Sequence, residues 1–289
     1  MNDRKPPVQP PPGESGSTRL EQLELDLLLE GLYRMYGYDY RNYVRSSVAR
    51  RVKIRLSAER LPTISALLER ALHDPETAQR LIHDFSIPVT EMFRDPLFFH
   101  SFRAKVIPQL RRLPEVRIWH AGCSSGEEVY SMAILLEEEG LLAKTQIYAT
   151  DINETMLERA RIGAFPLNRM QAYTTNYIRS GGMREFSSYY DSDQVNAHFN
   201  PELVSNTLFV YHNLVTDRSF NEFHVIICRN VMIYFDLELQ SRVHDLFFES
   251  LAPEGILALG SKESLMLSHH RQNYRELDAS QKIYQARKG

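Results

Sequence analysis

The sequence predicts an α/β fold: a Rossmann-like parallel-sheet domain, preceded by an all-helical domain and interrupted by a small antiparallel β-subdomain. Three observations predict it. Apolar residues recur at helical spacing from Thr18 to about Leu110; after Pro114, short β-rich runs alternate with helical ones; and a Tyr-, Ser-, Asn- and Gly-rich stretch between Leu167 and His212 is too long for an ordinary connection. The expected organisation is a tail over 1–17, a helical domain over 18–110 and a sheet domain over 111–289 with its insert at about 168–212.

Residues 1–17 hold Pro6-Pro7, Pro10-Pro11-Pro12 and a Gly/Ser run, and lack the apolar surface to offset the entropy of ordering. In the helical region Leu20, Leu23, Leu27 and Leu28 recur at threes and fours, as do Val44, Val48, Val52 and Leu56, then Ile64, Leu67, Leu68, Ala71 and Leu72. Pro62, Pro75, Pro88, Pro96 and Pro108 punctuate these runs. Strands are expected at Val116–His120, Gln146–Thr150, Phe223–Cys228 and Gly255–Gly260, with helices at Glu127–Glu139, Glu154–Ile162 and Leu237–Leu251 between them. Such alternation implies right-handed crossovers and a parallel sheet of at least four strands. Leu208–Tyr211 reads as a short antiparallel strand of the insert, and the segments Tyr274–Leu277 and Lys282–Ala286 as a strand or hairpin at the sheet edge.

A formal charge of −3 over 289 residues gives no global signal for nucleic acid or a membrane surface, and no run approaches the roughly 20 apolar residues of a membrane span. Cys123 and Cys228 are far apart and lack zinc-site spacing, which suits a reducing compartment. The expectation is a cytoplasmic protein with no structural metal. His120, His212 and His224 form neither a triad nor a metal set.

In an open parallel sheet, ligands bind beyond the carboxyl ends of the strands, and the first strand-to-helix turn is the usual place. Gly122 and Gly126 sit there, and the next strand ends at Asp151, from which a carboxylate commonly accepts hydrogen bonds from both ribose hydroxyls. The three-glycine G-x-G-x-x-G pattern of a nicotinamide site is missing, and Glu127 and Glu128 follow Gly126. Carboxylates repel a diphosphate and suit a cation, which favours S-adenosyl-L-methionine with its ammonium and sulfonium. The plain alternative is that both acids only favour the helix N-terminus electrostatically.

With Gly122-Cys123-Ser124-Ser125-Gly126-Glu127-Glu128, Asp151, Asn213-Leu214 and Cys228-Arg229-Asn230-Val231-Met232-Ile233-Tyr234-Phe235 in this order, the chain resembles the bacterial chemotaxis receptor glutamate methyltransferases, the CheR family, over about residues 20–287. The most specific segments are Arg229–Phe235 and Thr90-Glu91-Met92-Phe93-Arg94, similar to that family's Thr-x-Phe-Phe-Arg motif. The resemblance implies a helical N-terminal domain, a Rossmann-like catalytic domain and an inserted β-subdomain. It also implies methyl transfer from S-adenosyl-L-methionine to glutamate side chains on the cytoplasmic helical bundle of chemoreceptors, giving methyl esters and S-adenosyl-L-homocysteine. Carried over by position, Thr90, Arg94, Gly122, Glu128, Asp151, Asn213, Leu214, Arg229 and Asn230 would line the cofactor site, and Arg94 and Tyr234 would face the reacting centre. Two departures stand in the first segment: Pro88 where many members have Asn, and Met92 in place of the first Phe. The insert's Ser187–Asp193 stretch does not resemble the subdomain of members that dock on a receptor's C-terminal pentapeptide, so that tether is not carried over.

A glutamate side chain, with an unperturbed pKa of about 4.3, is already ionised at neutral pH and needs no general base to attack a sulfonium methyl. Alignment and desolvation are the task. Arg94 could orient a carboxylate through its planar fork, and Tyr234 could donate one hydrogen bond to the attacking group. Plainer roles are an ion pair or helix cap for Arg94 beside Asp95, and core packing for Tyr234 beside Phe235. The two cysteines read as small packed residues.

The segment Arg41–Ala58 carries Arg41, Arg45, Arg50, Arg51, Lys53 and Arg55 with no acid. A solvated face is one explanation; the other is a docking face, through Arg45, Arg50, Arg51, Lys53 and Arg55, for a glutamate-rich receptor helix. Tyr36, Tyr38, Tyr40 and Tyr43 lie nearby, but no nucleic-acid-binding motif accompanies them. Beside the methyltransferase reading stands a catalytically weak, cofactor-binding signalling adaptor that docks on receptors.

Overall fold

The protein is described by a computed structural model over residues 16–85 and 90–288. Two compact units divide between Phe85 and Ser86. The expected tail lies outside the described residues except for Gly16 and Ser17, which open the first helix, and Pro88 also lies outside them.

The first unit consists of α1 (Gly16–Tyr36), α2 (Arg45–Glu59), α3 (Ile64–His73) and α4 (Pro75–Phe85). Its core joins Leu25, Leu28, Leu29 and Leu32 of α1 to Val48, Val52, Leu67, Ala71 and Leu81. The stripe on α1 is therefore rotated from the one expected: Leu28 is buried, while Leu20, Leu23 and Leu27 are exposed. Thr63 caps α3, its side chain accepting the Ala66 N–H at 3.1 Å.

The second unit begins earlier than residue 111. Helices α5 (Pro96–Lys105) and α6 (Ile107–Leu110), expected in the helical domain, bury Phe98, Phe99, Phe102, Val106, Ile107 and Leu110 in the core of the sheet unit. Helical periodicity marks an apolar face without naming the core that receives it. The elements that follow are β1 (Val116–Ala121), α7 (Glu127–Glu138), β2 (Thr145–Asp151), α8 (Glu154–Ile162), β3 (Ala164–Pro166), α9 (Met170–Arg179), β4 (Tyr190–Ser192), β5 (Asn196–Phe199), β6 (Thr207–Tyr211), β7 (Phe223–Cys228), α10 (Leu237–Ser250), β8 (Leu251–Leu259), β9 (Tyr274–Asp278) and β10 (Ile283–Ala286).

The central sheet has the order β6-β2-β1-β7-β8-β10-β9. β6, β2, β1, β7 and β8 pair in parallel, and β10 runs against both its neighbours. The hairpin expected near the C-terminus is thus β9–β10. From β1 the chain winds outward through β2 to β6, then returns to β7 and winds the other way, so the switch point lies between β1 and β7. Leu208–Tyr211 is not part of the insert: it pairs in parallel with β2, Leu208 opposite Tyr148 and Val210 opposite Thr150. As an edge strand it alternates buried Phe209 with exposed Leu208 and Val210, a pattern that sequence alone cannot tell from a half-exposed antiparallel strand.

The insert is the antiparallel sheet β3-β5-β4 with α9. Its aromatic content is its core: Phe165, Tyr173, Tyr177, Phe186, Tyr189 and Phe199 are all buried. Tyr130 of α7 packs edge-on against Phe165 and Phe199. One acid ties the insert down. Glu138, at the end of α7, accepts hydrogen bonds from the hydroxyls of Tyr177 and Tyr189 and from the Met183 N–H, and pairs with Arg103. Among the described residues no helix is long and apolar enough to cross a membrane.

Candidate functional site

The loops after β1, β2 and β7 converge at the switch point. After β1, the N–H groups of Gly122 and Cys123 both donate to the Thr150 carbonyl, at 2.8 and 2.9 Å. The next residue, Ser124, takes φ 51° and donates its N–H to Asp151 Oδ2 at 2.8 Å, while Asp151 Oδ1 accepts the Asn153 N–H at 2.9 Å. Asp151 thus braces the turn from the end of β2, and it stays half-buried with acceptor capacity left for a ligand hydroxyl. Burial pushes its carboxyl up, and these amides pull it back.

The two glycines answer to the chain's own packing. A Cβ on Gly122, at φ 80°, would stand 2.5 Å from Val231 Cγ2, and one on Gly126, at φ 95°, would stand 2.8 Å from the Ala160 Cβ. Gly122 therefore lets the β1 and β7 loops touch, and Gly126 lets α7 start against α8.

Glu127 and Glu128 part company. Glu127 is buried, accepts the Ser125 hydroxyl at 2.7 Å and lies near Tyr173 of the insert; burial pushes its carboxyl up. Glu128 stands between His120 Nδ1 and Arg229 Nη1, each at 3.1 Å. Burial would raise its carboxyl, but the His120 hydrogen bond and the Arg229 charge outweigh that and hold it below the usual range. Of the two acids read as partners for a cation, Glu128 is the one whose carboxyl is lowered and Glu127 the one whose carboxyl is raised.

Arg229 is a buried clamp. Its Nη2 meets Asp95 Oδ2 at 2.7 Å, its Nη1 reaches the Arg94 carbonyl at 3.3 Å, and its guanidinium carbon lies 4.1 Å from the centre of the Phe98 ring. Asp95 therefore pairs with Arg229, and its side chain does not cap α5. The segment is pinned again where the Phe93 N–H donates to Ser131 Oγ at 2.8 Å and where Asn176 Nδ2 donates to the Met92 carbonyl at 3.1 Å. Met92 and Phe93 are fully buried, so the Met92 departure is a core substitution. Phe93 and Asp95 both adopt left-handed backbone, at φ 51° and 56°, which presents the half-buried Arg94 between two strained residues. Thr90 is half-buried at the start of this segment.

Beyond β6, Asn213 is buried; its N–H donates to Asp217 Oδ2 and its Oδ1 accepts the Val215 N–H, both at 2.9 Å. Its Nδ2 has no acceptor among the described residues. A buried amide donor left unmatched is costly, and a polar ligand would satisfy it. The neighbouring Leu214 and, after β7, Asn230 and Tyr234 are half-buried. Sequence reasoning missed Glu263, a buried acid after β8 that accepts backbone N–H groups from Gly260, Asn230, Val231 and Met232. Only the structure reveals it, because no local motif surrounds it.

These groups fit a cationic nucleoside: hydrogen-bond acceptors at Asp151, an ionised carboxylate at Glu128, and an unmatched amide donor at Asn213. Cys123 and Cys228 are buried with thiols pushed well up, which makes them packing residues. Among the described residues no group of three or more His, Cys, Asp or Glu side chains could hold a metal.

In the helical unit, two of the five basic residues expected to face a partner are held inward. Arg51 is buried, donating to the carbonyls of Asp84 and Phe85 at 2.7 and 2.8 Å, and Arg55 is largely buried between Asp84 and Glu59. Both close α2 onto α4, where orphan carbonyls at a helix end need donors. Arg45 and Lys53 are exposed but paired with Asp26 and Glu21 of α1. Arg50 is exposed and lines a shallow groove with Ser46, Ala49, Lys53, Ile54 and Ser57.

Residues 88–283 match the family described as CheR methyltransferase, SAM binding domain, and residues 23–86 match the CheR methyltransferase all-alpha domain. The chain is 47% identical to a Pseudomonas putida protein named methyltransferase Cher3, over 93% of this chain and 98% of that one. It is 31% identical to chemotaxis protein methyltransferase 2 of Pseudomonas aeruginosa, over 83% and 86% of the two chains. It is 30% identical to the chemotaxis protein methyltransferase of Salmonella typhimurium, over 81% of each. With the S-adenosyl-L-methionine-compatible site at the switch point, the helical unit before it and the antiparallel insert within it, the chain belongs to the CheR family of S-adenosyl-L-methionine-dependent methyltransferases.

Proposed function

We propose that the protein transfers a methyl group from S-adenosyl-L-methionine to glutamate side chains on the cytoplasmic helices of chemoreceptors. The observation that carries the reading is the Arg229 clamp, which fixes the backbone of Arg94, a cation suited to orienting a carboxylate, to Glu128 at the start of α7. That suits a nucleophile that arrives ionised.

When bound, the cofactor supplies an electrophilic methyl on a cationic sulfur. Asp151 and Asn213 would hold its nucleoside, Glu128 would neutralise its positive charge, and Thr90, Leu214 and Asn230 would line it. Arg94 would orient a carboxylate, and Tyr234 would donate one hydrogen bond to the incoming glutamate. Too strong a pairing at that point would blunt the nucleophile, so one neutral donor beside an offset cation is the useful arrangement. On the helical unit, Arg50, with Arg45 and Lys53, would attract a glutamate-rich receptor helix in the cytoplasm.

Turnover separates this reading from that of a cofactor-binding adaptor. Purified protein, S-adenosyl-L-methionine and a chemoreceptor cytoplasmic fragment should yield S-adenosyl-L-homocysteine in step with receptor methylation. Tight cofactor binding with no product across a panel of receptor fragments would contradict it.

A further inference from the structure

Two residues after β7, Asn230 adopts φ 64°, a left-handed conformation that asparagine accepts more readily than most side chains. One carboxylate fastens the backbone there. The Glu263 side chain accepts the N–H groups of Val231 and Met232 on Oε1, both at 2.9 Å, and those of Asn230 and Gly260 on Oε2, at 3.1 and 2.6 Å. The residue is 5% exposed, and its hydrogen bonds from Met232 and Gly260 are buried with it. The packing leaves no slack. A Cβ on Gly260 would stand 2.6 Å from Glu263 Oε2 and 2.9 Å from the Asn230 nitrogen.

Residues 229 to 232 are thus held at two points: the Arg229 guanidinium is fastened to Glu128 and Asp95, and the Glu263 carboxyl gathers the next three amides. The turn Met232–Tyr234 follows at once, with the Tyr234 N–H on the Val231 carbonyl at 3.2 Å. Wherever Glu263 sets the amides of 230–232, the side chains of Asn230 and Tyr234 are carried with them. A neutral glutamine offers one accepting oxygen and turns N–H donors toward the other two amides.

We propose that Glu263 is a positioning residue for methyl transfer, placing Asn230 and Tyr234 through the four backbone amides it collects. This rests on the site roles proposed above for those two residues. A purely structural role would lower the melting temperature and leave the cofactor affinity of the folded protein unchanged. A positioning role changes the affinity of protein that is still folded.

The test uses the full chain, with S-adenosyl-L-homocysteine binding measured by calorimetry and amide exchange followed at residues 230–232. Glu263→Gln should weaken binding by about tenfold or more, equivalent to about 1.4 kcal/mol, and speed exchange at those amides. Glu263→Asp keeps the charge but draws it back by one methylene from the amides, and should weaken binding in the same direction; it carries the comparison alone if Glu263→Gln does not fold. Folded variants that bind as tightly as wild type overturn the role of Glu263 while leaving the site itself standing. A wild-type protein that does not bind S-adenosyl-L-homocysteine overturns both.

Discussion

Arg229 Nη1 lies 3.1 Å from Glu128 Oε2, an ion pair between a buried guanidinium and a half-buried carboxylate that joins the end of β7 to the first turn of α7. The same guanidinium reaches Asp95 and the Arg94 carbonyl, so three segments distant in sequence share one cation. Truncation would leave Glu128 with His120 as its remaining partner and Asp95 with none among the described residues, and removing the buried member of an ion pair typically costs several kcal/mol. Arg229→Ala should therefore lose about 3 kcal/mol in denaturant unfolding, with Arg229→Lys recovering only part because an ammonium lacks the planar fork. A loss below about 0.5 kcal/mol would contradict the clamp.

Ser131 Oγ accepts the Phe93 N–H while donating to the Glu127 carbonyl. Ser131→Ala leaves the Phe93 amide buried without an acceptor, one residue before Arg94. The expected result is about 1–3 kcal/mol of lost stability together with a fall in kcat. An unchanged kcat would mean that the left-handed backbone at Phe93 does not govern Arg94.

Glu138 makes a pH prediction. Burial would raise its carboxyl, but the Tyr177 hydroxyl, the Met183 amide and Arg103 hold it below the ordinary 4.5. A carboxyl lowered in the folded state contributes stability above its unfolded value, and loses it as pH falls through the folded one. Glu138→Gln should thus be destabilising at pH 7, and its deficit against wild type should shrink progressively below pH 4.5. A deficit that stays constant down to pH 3 would contradict the assignment.

On α2, charge and structure separate residue by residue. Arg50→Glu with Lys53→Glu should weaken association with an acidic receptor fragment by about tenfold at low salt, less at high salt, with little change in melting temperature. Arg51→Ala should do the reverse, lowering the melting temperature because the Asp84 and Phe85 carbonyls lose their donor. Association unaffected by the double charge reversal would remove α2 from the docking face.

What the sequence made legible follows from where information is local. β1 and β7 read as buried parallel strands because both faces are covered and the apolar run is continuous, and Asp151 follows from its place at a strand end. Leu208–Tyr211 reads as part of the insert because an edge strand of a parallel sheet shows the same alternation as an antiparallel one. The α5 and α6 sequences read as part of the helical domain because their periodicity is silent about which core receives Phe98 and Phe102. Glu263 is the extreme case: its role arises only when β8 brings residues 260–263 beside the turn at 230–232, some thirty residues away. Arg50 and Arg51 are adjacent and identical in type, and only the helix phase sends one to solvent and the other to the α4 carbonyls.

The most direct measurement of the central claim is peptide mapping of a chemoreceptor cytoplasmic fragment after incubation with the protein and methyl-labelled S-adenosyl-L-methionine. The expected result is label on glutamate side chains, released as methanol by mild base and strongly reduced with the Arg94→Ala variant. Label confined to other residue types, or none on any receptor fragment while the protein demonstrably binds the cofactor, would contradict the account.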